Sequence, residues 1–159
     1  MKKINVRMLL AATLSGAALA IGSILPAVAA NDHSLPSPEV FLDVNPCTGT
    51  IVTLTQVYTK SVLHESVDAS GGSHFTGTQG GTITASDGFA GRFTVWFGFN
   101  EGGGASGVEV GTFTYSATLR NGTGQVANVH FVGHYIVKDG TIIKTVENES
   151  LVCVGKPSP

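Results

Sequence analysis

Two histidines, His130 and His134, stand four apart in "NVHFVGHYIVKDG" (Asn128–Gly140), a spacing that on a helix would let both ligate one metal. The residues around them are β-branched and aromatic, and on a strand the same two side chains share a face about 13 Å apart. Zinc–nitrogen bonds are near 2 Å, so a strand excludes a shared metal. The chemistry open to them runs across strands instead. A two-residue turn at "KDGT" pairs Lys138 with Thr141, and counting back sets His134 opposite Thr145, Val132 opposite Glu147 and His130 opposite Glu149. Directly opposite β-carbons lie roughly 5 Å apart, within reach of an imidazole–carboxylate hydrogen bond. Such a couple can orient a group, move a proton in a hydrolase or isomerase, or simply be a satisfied buried pair, since buried polar groups need partners whether or not they act.

The other candidates are weaker. His64 and His74 flank the "DASGG" turn on one face, but a metal there needs a third ligand: Glu65 points away, and nothing in the spacing assigns Asp68, the other candidate, so they read as solvated. "GGGASG" (Gly102–Gly107) satisfies G-x-G-x-x-G after a strand, yet "VEVGTFTY" follows it as another strand, whereas a phosphate cradle needs a helix N-terminus. "GASG" falls short of a nucleophile elbow for the same reason. The cysteines, Cys47 and Cys153, belong to no C-x-x-C or Cys/His cluster. No metal site and no cofactor is expected.

The elements that must position these residues are strands. β-Branched and aromatic runs at Gly49–Val67, Ser73–Ala85, Gly91–Asn100, Val110–Arg120, Gln125–Lys138 and Thr141–Val154 are separated by "DASGG", "SDGFA", "NEGGGASG", "NGTG" and "DG", which favour hairpin turns. The first run holds two strands or one sharply bent strand. Consecutive hairpins make an antiparallel meander, and closure removes exposed edges, so the expected fold is all-β: a meander of six to eight strands closing into a small barrel. In "RFTVWFGFN", Phe93, Val95, Phe97 and Phe99 alternate onto one face and Trp96 onto the other, where it packs on the leader or marks a contact surface.

A two- or four-residue loop at "NGTG" puts Phe113 and Tyr115 on the histidine face, making that face the expected interior. The lumen candidates are then Phe93, Phe97, Phe99, Phe113 and Tyr115, with His130, His134, Glu147 and Glu149 as polar groups. One conflict stands: Val129, Phe131, Tyr135 and Val137, on the opposite face, are as apolar. Either Gly133 marks a bulge that changes facing, or both faces are covered.

Residues 1–30 read as an export signal: Lys2, Lys3 and Arg7, an apolar run from Met8 to Leu25, then "PAVAA" with Ala27 and Ala29 fitting an A-x-A rule. A Pro-rich leader (31–46), a barrel domain (47–154) and a short tail (155–159) follow, with no membrane span once the signal is removed. Subtracting the signal leaves six Lys and Arg against eleven Asp and Glu, a formal charge of −5. With the cations scattered along the chain, that balance argues against nucleic acid. A secreted, extracellular location is expected, and there two cysteines that bracket the domain pair as one disulfide.

"NPCTG" (Asn45–Gly49), "HFTGTQGGT" (His74–Thr82), "GRFTVWFGFN" (Gly91–Asn100), "FTYSATLRNGTG" (Phe113–Gly124), the His130–His134 pair and the final cysteine resemble a set of small exported, single-disulfide, β-rich proteins found mostly in high-GC Gram-positive bacteria. The resemblance implies export, one bridge and a β fold, and no activity. A likeness to allene-oxide-cyclase-like and lipocalin-like barrels rests on architecture alone. The expected function is a secreted, non-catalytic barrel binding a small apolar molecule. The alternatives are a hydrolase or isomerase using His130 with Glu149, and a cell-surface interaction module using exposed aromatics such as Trp96.

Overall fold

The computed structural model describes residues 29–69, 71–101, 108–139 and 141–155. The export segment up to residue 28, the Gly102–Gly107 loop and residues 156–159 of the tail lie outside them. All the regular structure described is β: β1 (Ala29–Asp32), β2 (Glu39–Val44), β3 (Ile51–Val67), β4 (Ser73–Ala85), β5 (Ala90–Glu101), β6 (Val108–Arg120), β7 (Val126–Lys138) and β8 (Thr141–Val154). They form one antiparallel sheet in the order β1-β3-β4-β5-β6-β7-β8, with β2 also paired to β3. The long first run is a single strand carrying an irregularity at Thr59, between Tyr58 and Lys60. Two strands precede the first expected run, β1 straddling the boundary between the expected signal and leader and β2 within the leader; Pro36 and Pro38 fall in the break between them and so cost no ladder bond.

Three turns share one construction. Asp68–Gly72, Ala85–Phe89 and Asn121–Gln125 each bond the first N–H to the last carbonyl, and each sets a glycine (Gly71, Gly88, Gly124) at positive φ in the fourth position. This is the three-residue hairpin loop whose last loop residue must be left-handed. The final hairpin uses the expected two-residue turn, with Lys138 opposite Thr141 and Asp139 at φ 50°.

The sheet curls hard. A β-carbon on Gly81 would collide with the Val57 carbonyl oxygen, and one on Gly91 with that of Thr118, so both positions let neighbouring backbone approach as no other residue could. The concave face buries Val52, Leu54, Ile83, Phe93, Ala117 and Leu119, and Phe89 folds back from its turn to plug the end. Fully burying a side chain of this size stabilises by about 1.5–3 kcal/mol. Cys47, just after β2, and Cys153, near the end of β8, form a disulfide with Cα atoms 4.8 Å apart.

The sheet does not close. Among the described residues no ladder joins β8 to β1 or β2. Alternating direction from β2 to β8 makes the two edges parallel to one another, so the pairing that closed a meander elsewhere by one more hairpin is not the one available here. What results is a curled, half-open trough, clamped at the disulfide.

Candidate functional site

The histidine pair sits on the outside of this trough. His134 lies opposite Thr112 and Val146, and His130 opposite Ser116 and Ser150, both exposed. Their Nδ1 atoms bond hydroxyls of β6, Thr112 Oγ1 at 3.0 Å and Ser116 Oγ at 2.9 Å. Glu149 faces inward opposite Phe131, and Glu147 opposite Gly133. The expected His130–Glu149 couple therefore does not exist: its members stand on opposite faces.

Two odd residues explain the correction. The "NGTG" loop closes with three residues rather than two or four, which inverts the facing of β7 relative to β6. The β7–β8 ladder then slips between Ile136 and Val137, where Lys144 and Ile142 are the partners and Ile143 is extra. The bulge lies there and not at Gly133. Val129, Phe131, Tyr135 and Val137, with Ala127 and Gly133, are the inward residues of β7.

The remaining lumen candidates do line the concave side. Phe93, Phe97 and Tyr115 are buried there, Phe99 and Phe113 half-buried. Phe93 contacts Tyr58 edge-on at 5.1 Å and stacks on Tyr115 at 6.2 Å. Further from the Asn45 end the rings are only partly covered: Phe75 lies 6.4 Å from Phe99, Phe99 lies 5.7 Å from Tyr135, and Phe113 lies 6.1 Å from Phe131. Phe99 and Tyr135 meet across the intervening strand because Gly111 carries no side chain; a β-carbon there would collide with the Tyr135 ring. At the Asn45 end, by contrast, the trough is filled, leaving a cavity of about 20 Å³, room for about one water.

Polar groups invisible in the sequence reading join these rings. Gln56, 2% exposed, donates from Nε2 to the Tyr115 hydroxyl at 2.6 Å. The Tyr58 hydroxyl donates to Glu39 Oε2 at 3.0 Å. Burial pushes both phenols well above the ordinary tyrosine range, assisted at Tyr58 by the Glu39 charge. Burial also raises the Asp43 carboxyl. At Glu149 burial raises it first, then the charge of Asp43 on β2 and that of Glu147, two residues away on β8.

Register shows a charge separation of the whole sheet. Asp32, Glu39, Asp43 and Glu65 pair with or stand among the inward residues of β3. Glu101, Glu109, Glu147 and Glu149 do so on β5, β6 and β8. The described strand cations, Lys60, Arg92, Arg120, Lys138 and Lys144, all take the outward parity. Basic residues scattered along the chain thus share the convex face.

His64 and His74 share the outer face, diagonal to one another. His74 bonds Asn100 Oδ1 at 2.7 Å and Asp68 Oδ2 at 3.3 Å, and those two bonds raise its pKa. Among the described residues no group of three or more His, Cys, Asp or Glu is arranged to hold a metal. Comparison with protein families, curated proteins and solved structures finds no match to the chain.

Proposed function

We propose that the protein is an exported, non-catalytic binding module whose trough seats a small apolar ligand, the sheet drawing round it as an incomplete barrel. The observation that carries this reading is the set of partly covered rings, Phe99, Phe113, Phe131 and Tyr135, on the concave side of β5, β6 and β7. Rings packed for stability alone would be closed over, as Phe93 is; rings left half-wet at a concave surface are the usual lining of a ligand site. The inward carboxylates at the gap favour a ligand whose polar end is cationic. Export is supported by the signal-like first thirty residues together with a disulfide, a bond that persists outside reducing compartments.

Titration with Nile red, a neutral apolar fluorophore, tests it. A blue-shifted emission that saturates, and that Tyr135→Ala or Phe131→Ala weakens at least tenfold with the far-UV spectrum unchanged, is expected. Emission that never rises, or a curve indifferent to both substitutions, would refute the reading.

A further inference from the structure

The convex face carries a depression of about 270 Å³ lined by Thr59, Lys60, Gly80, Thr82, Arg92 and Thr94. Its origin is in the sequence of β3 and β4. The extra residue Thr59 lifts β3 outward, and Gly80, opposite Lys60, contributes no side chain. A β-carbon on Gly80 would lie 3.3 Å from Lys60 Cε and 3.7 Å from Thr94 Oγ1, so these two side chains flank the space from either side. Two exposed cations and three threonine hydroxyls line it. All strand carboxylates face the other way, and the Asp68 carboxylate of the β3–β4 turn is bonded to His74, so no strand carboxylate stands beside the two cations.

Two residues along β5 from Thr94, on the same face, stands Trp96. Its indole folds over Gly98, with Cη2 and Cζ2 3.1 and 3.4 Å from where a Gly98 β-carbon would be, and 43% of the residue remains exposed. The ring therefore lies down on the sheet and presents a flat apolar surface. Thr78 and Thr114 are its lateral neighbours in register. A flat indole bordered by hydroxyls, lying over Gly98 on the side away from the depression and so about 13–20 Å along the strand from the level of Lys60 and Arg92, matches an extended ligand with a C–H face, many hydroxyls and a negative group further along it. Arg forms paired, charge-assisted bonds to planar oxyanions, and Trp supplies large apolar contact with little ordering cost.

We propose that this convex face binds an extended acidic oligosaccharide, one pyranose stacking on Trp96 and a carboxylate or sulfate two or three sugars along the chain held by Arg92 and Lys60. The site lies on the opposite side of the sheet from the trough and does not depend on what the trough binds.

The test uses the disulfide-bonded exported chain and three probes of equal length: a tetragalacturonate (carboxylate), a sulfated heparin tetrasaccharide, and a neutral glucose tetrasaccharide. Trp96 fluorescence and calorimetry should report binding of at least one acidic probe, at least tenfold tighter than the neutral one and weakening with salt. Which acidic probe wins separates carboxylate from sulfate recognition. Trp96→Ala and Arg92→Glu should each cost at least tenfold, with Lys60→Glu as a second charge reversal should either fail to fold. Loss of neither acidic probe in these variants, binding no tighter than the neutral sugar, or tighter binding of a single-stranded oligodeoxynucleotide of equal charge would overturn the proposal.

Discussion

The Gln56–Tyr115 hydrogen bond makes a sharp test of how the trough is held together. Both partners are almost fully buried, at 2% and 7% exposed, and their atoms meet at 2.6 Å. Tyr115→Phe keeps the ring and its stack on Phe93 but strips the acceptor from a buried amide. Leaving that N–H unpaired costs about 1–3 kcal/mol. For a domain of this size each kcal/mol moves Tm by about 3–5 °C, so the midpoint should fall by roughly 3–15 °C. Gln56→Met removes the other partner at similar length and should also destabilise. The double variant, in which both polar groups are gone, should recover most of the loss. The assay is thermal unfolding for the midpoint and urea unfolding for the coupling energy, both followed by far-UV circular dichroism on all four proteins. A coupling energy above about 1 kcal/mol is expected; additivity within about 0.5 kcal/mol would refute the reasoning.

Further tests follow from other groups. Reducing the disulfide, or replacing Cys47 and Cys153 by Ser, should cost about 4–5 kcal/mol for a loop closed over a sequence separation of 106, read as a drop in urea midpoint; a change under about 1 kcal/mol would contradict it. Glu149 holds its proton more tightly folded than unfolded, so its contribution is greatest below the unfolded pKa and is lost as pH rises through the folded one. Glu149→Gln should therefore shrink the fall in urea midpoint between pH 4 and pH 7, and an equal or larger fall would count against the crowding of carboxylates at the gap. His74, raised by Asn100 and Asp68, stabilises the fold below its unfolded pKa and loses that contribution as pH climbs through its folded pKa. His74→Gln should flatten the stability profile between pH 6 and 8; an unaltered profile would show the two bonds to be idle.

The strands were legible because their punctuation is chemical. The runs at Ser73–Ala85 and Thr141–Val154 match β4 and β8 end to end, since Gly, Asp and Asn mark the turns. Facing was not legible, because a single residue inverts it. The glycine in the fourth position of "NGTG", like that of "DASG" and "ASDG", was the available signal for an odd loop. The extra residue at Ile143 has no such mark, lying in an unbroken apolar stretch with β-branched neighbours. β1 and β2 were masked by the prolines between them. The convex cations were beyond reach of composition: Lys60 and Arg92 are 32 positions apart in the chain and become neighbours only once the Thr59 bulge sets the register. Trp96 was correctly placed away from the Phe93–Phe99 face, while its posture over Gly98 required the folded backbone.

The bridge between Cys47 and Cys153 also decides how the molecule answers tension. A pull applied to the chain outside the two cysteines first peels β1 and β2 from the edge of β3, then reaches Cys47 and crosses directly to Cys153. The 106-residue span between them, carrying β3 to β8, drops out of the force path. At about 3.5 Å per extended residue, roughly 370 Å of chain cannot be drawn out while the bond is intact. The trough and the convex face would keep their shape under loads that unzip an unbridged sheet strand by strand, and a reductant would convert the same protein into an extensible tether.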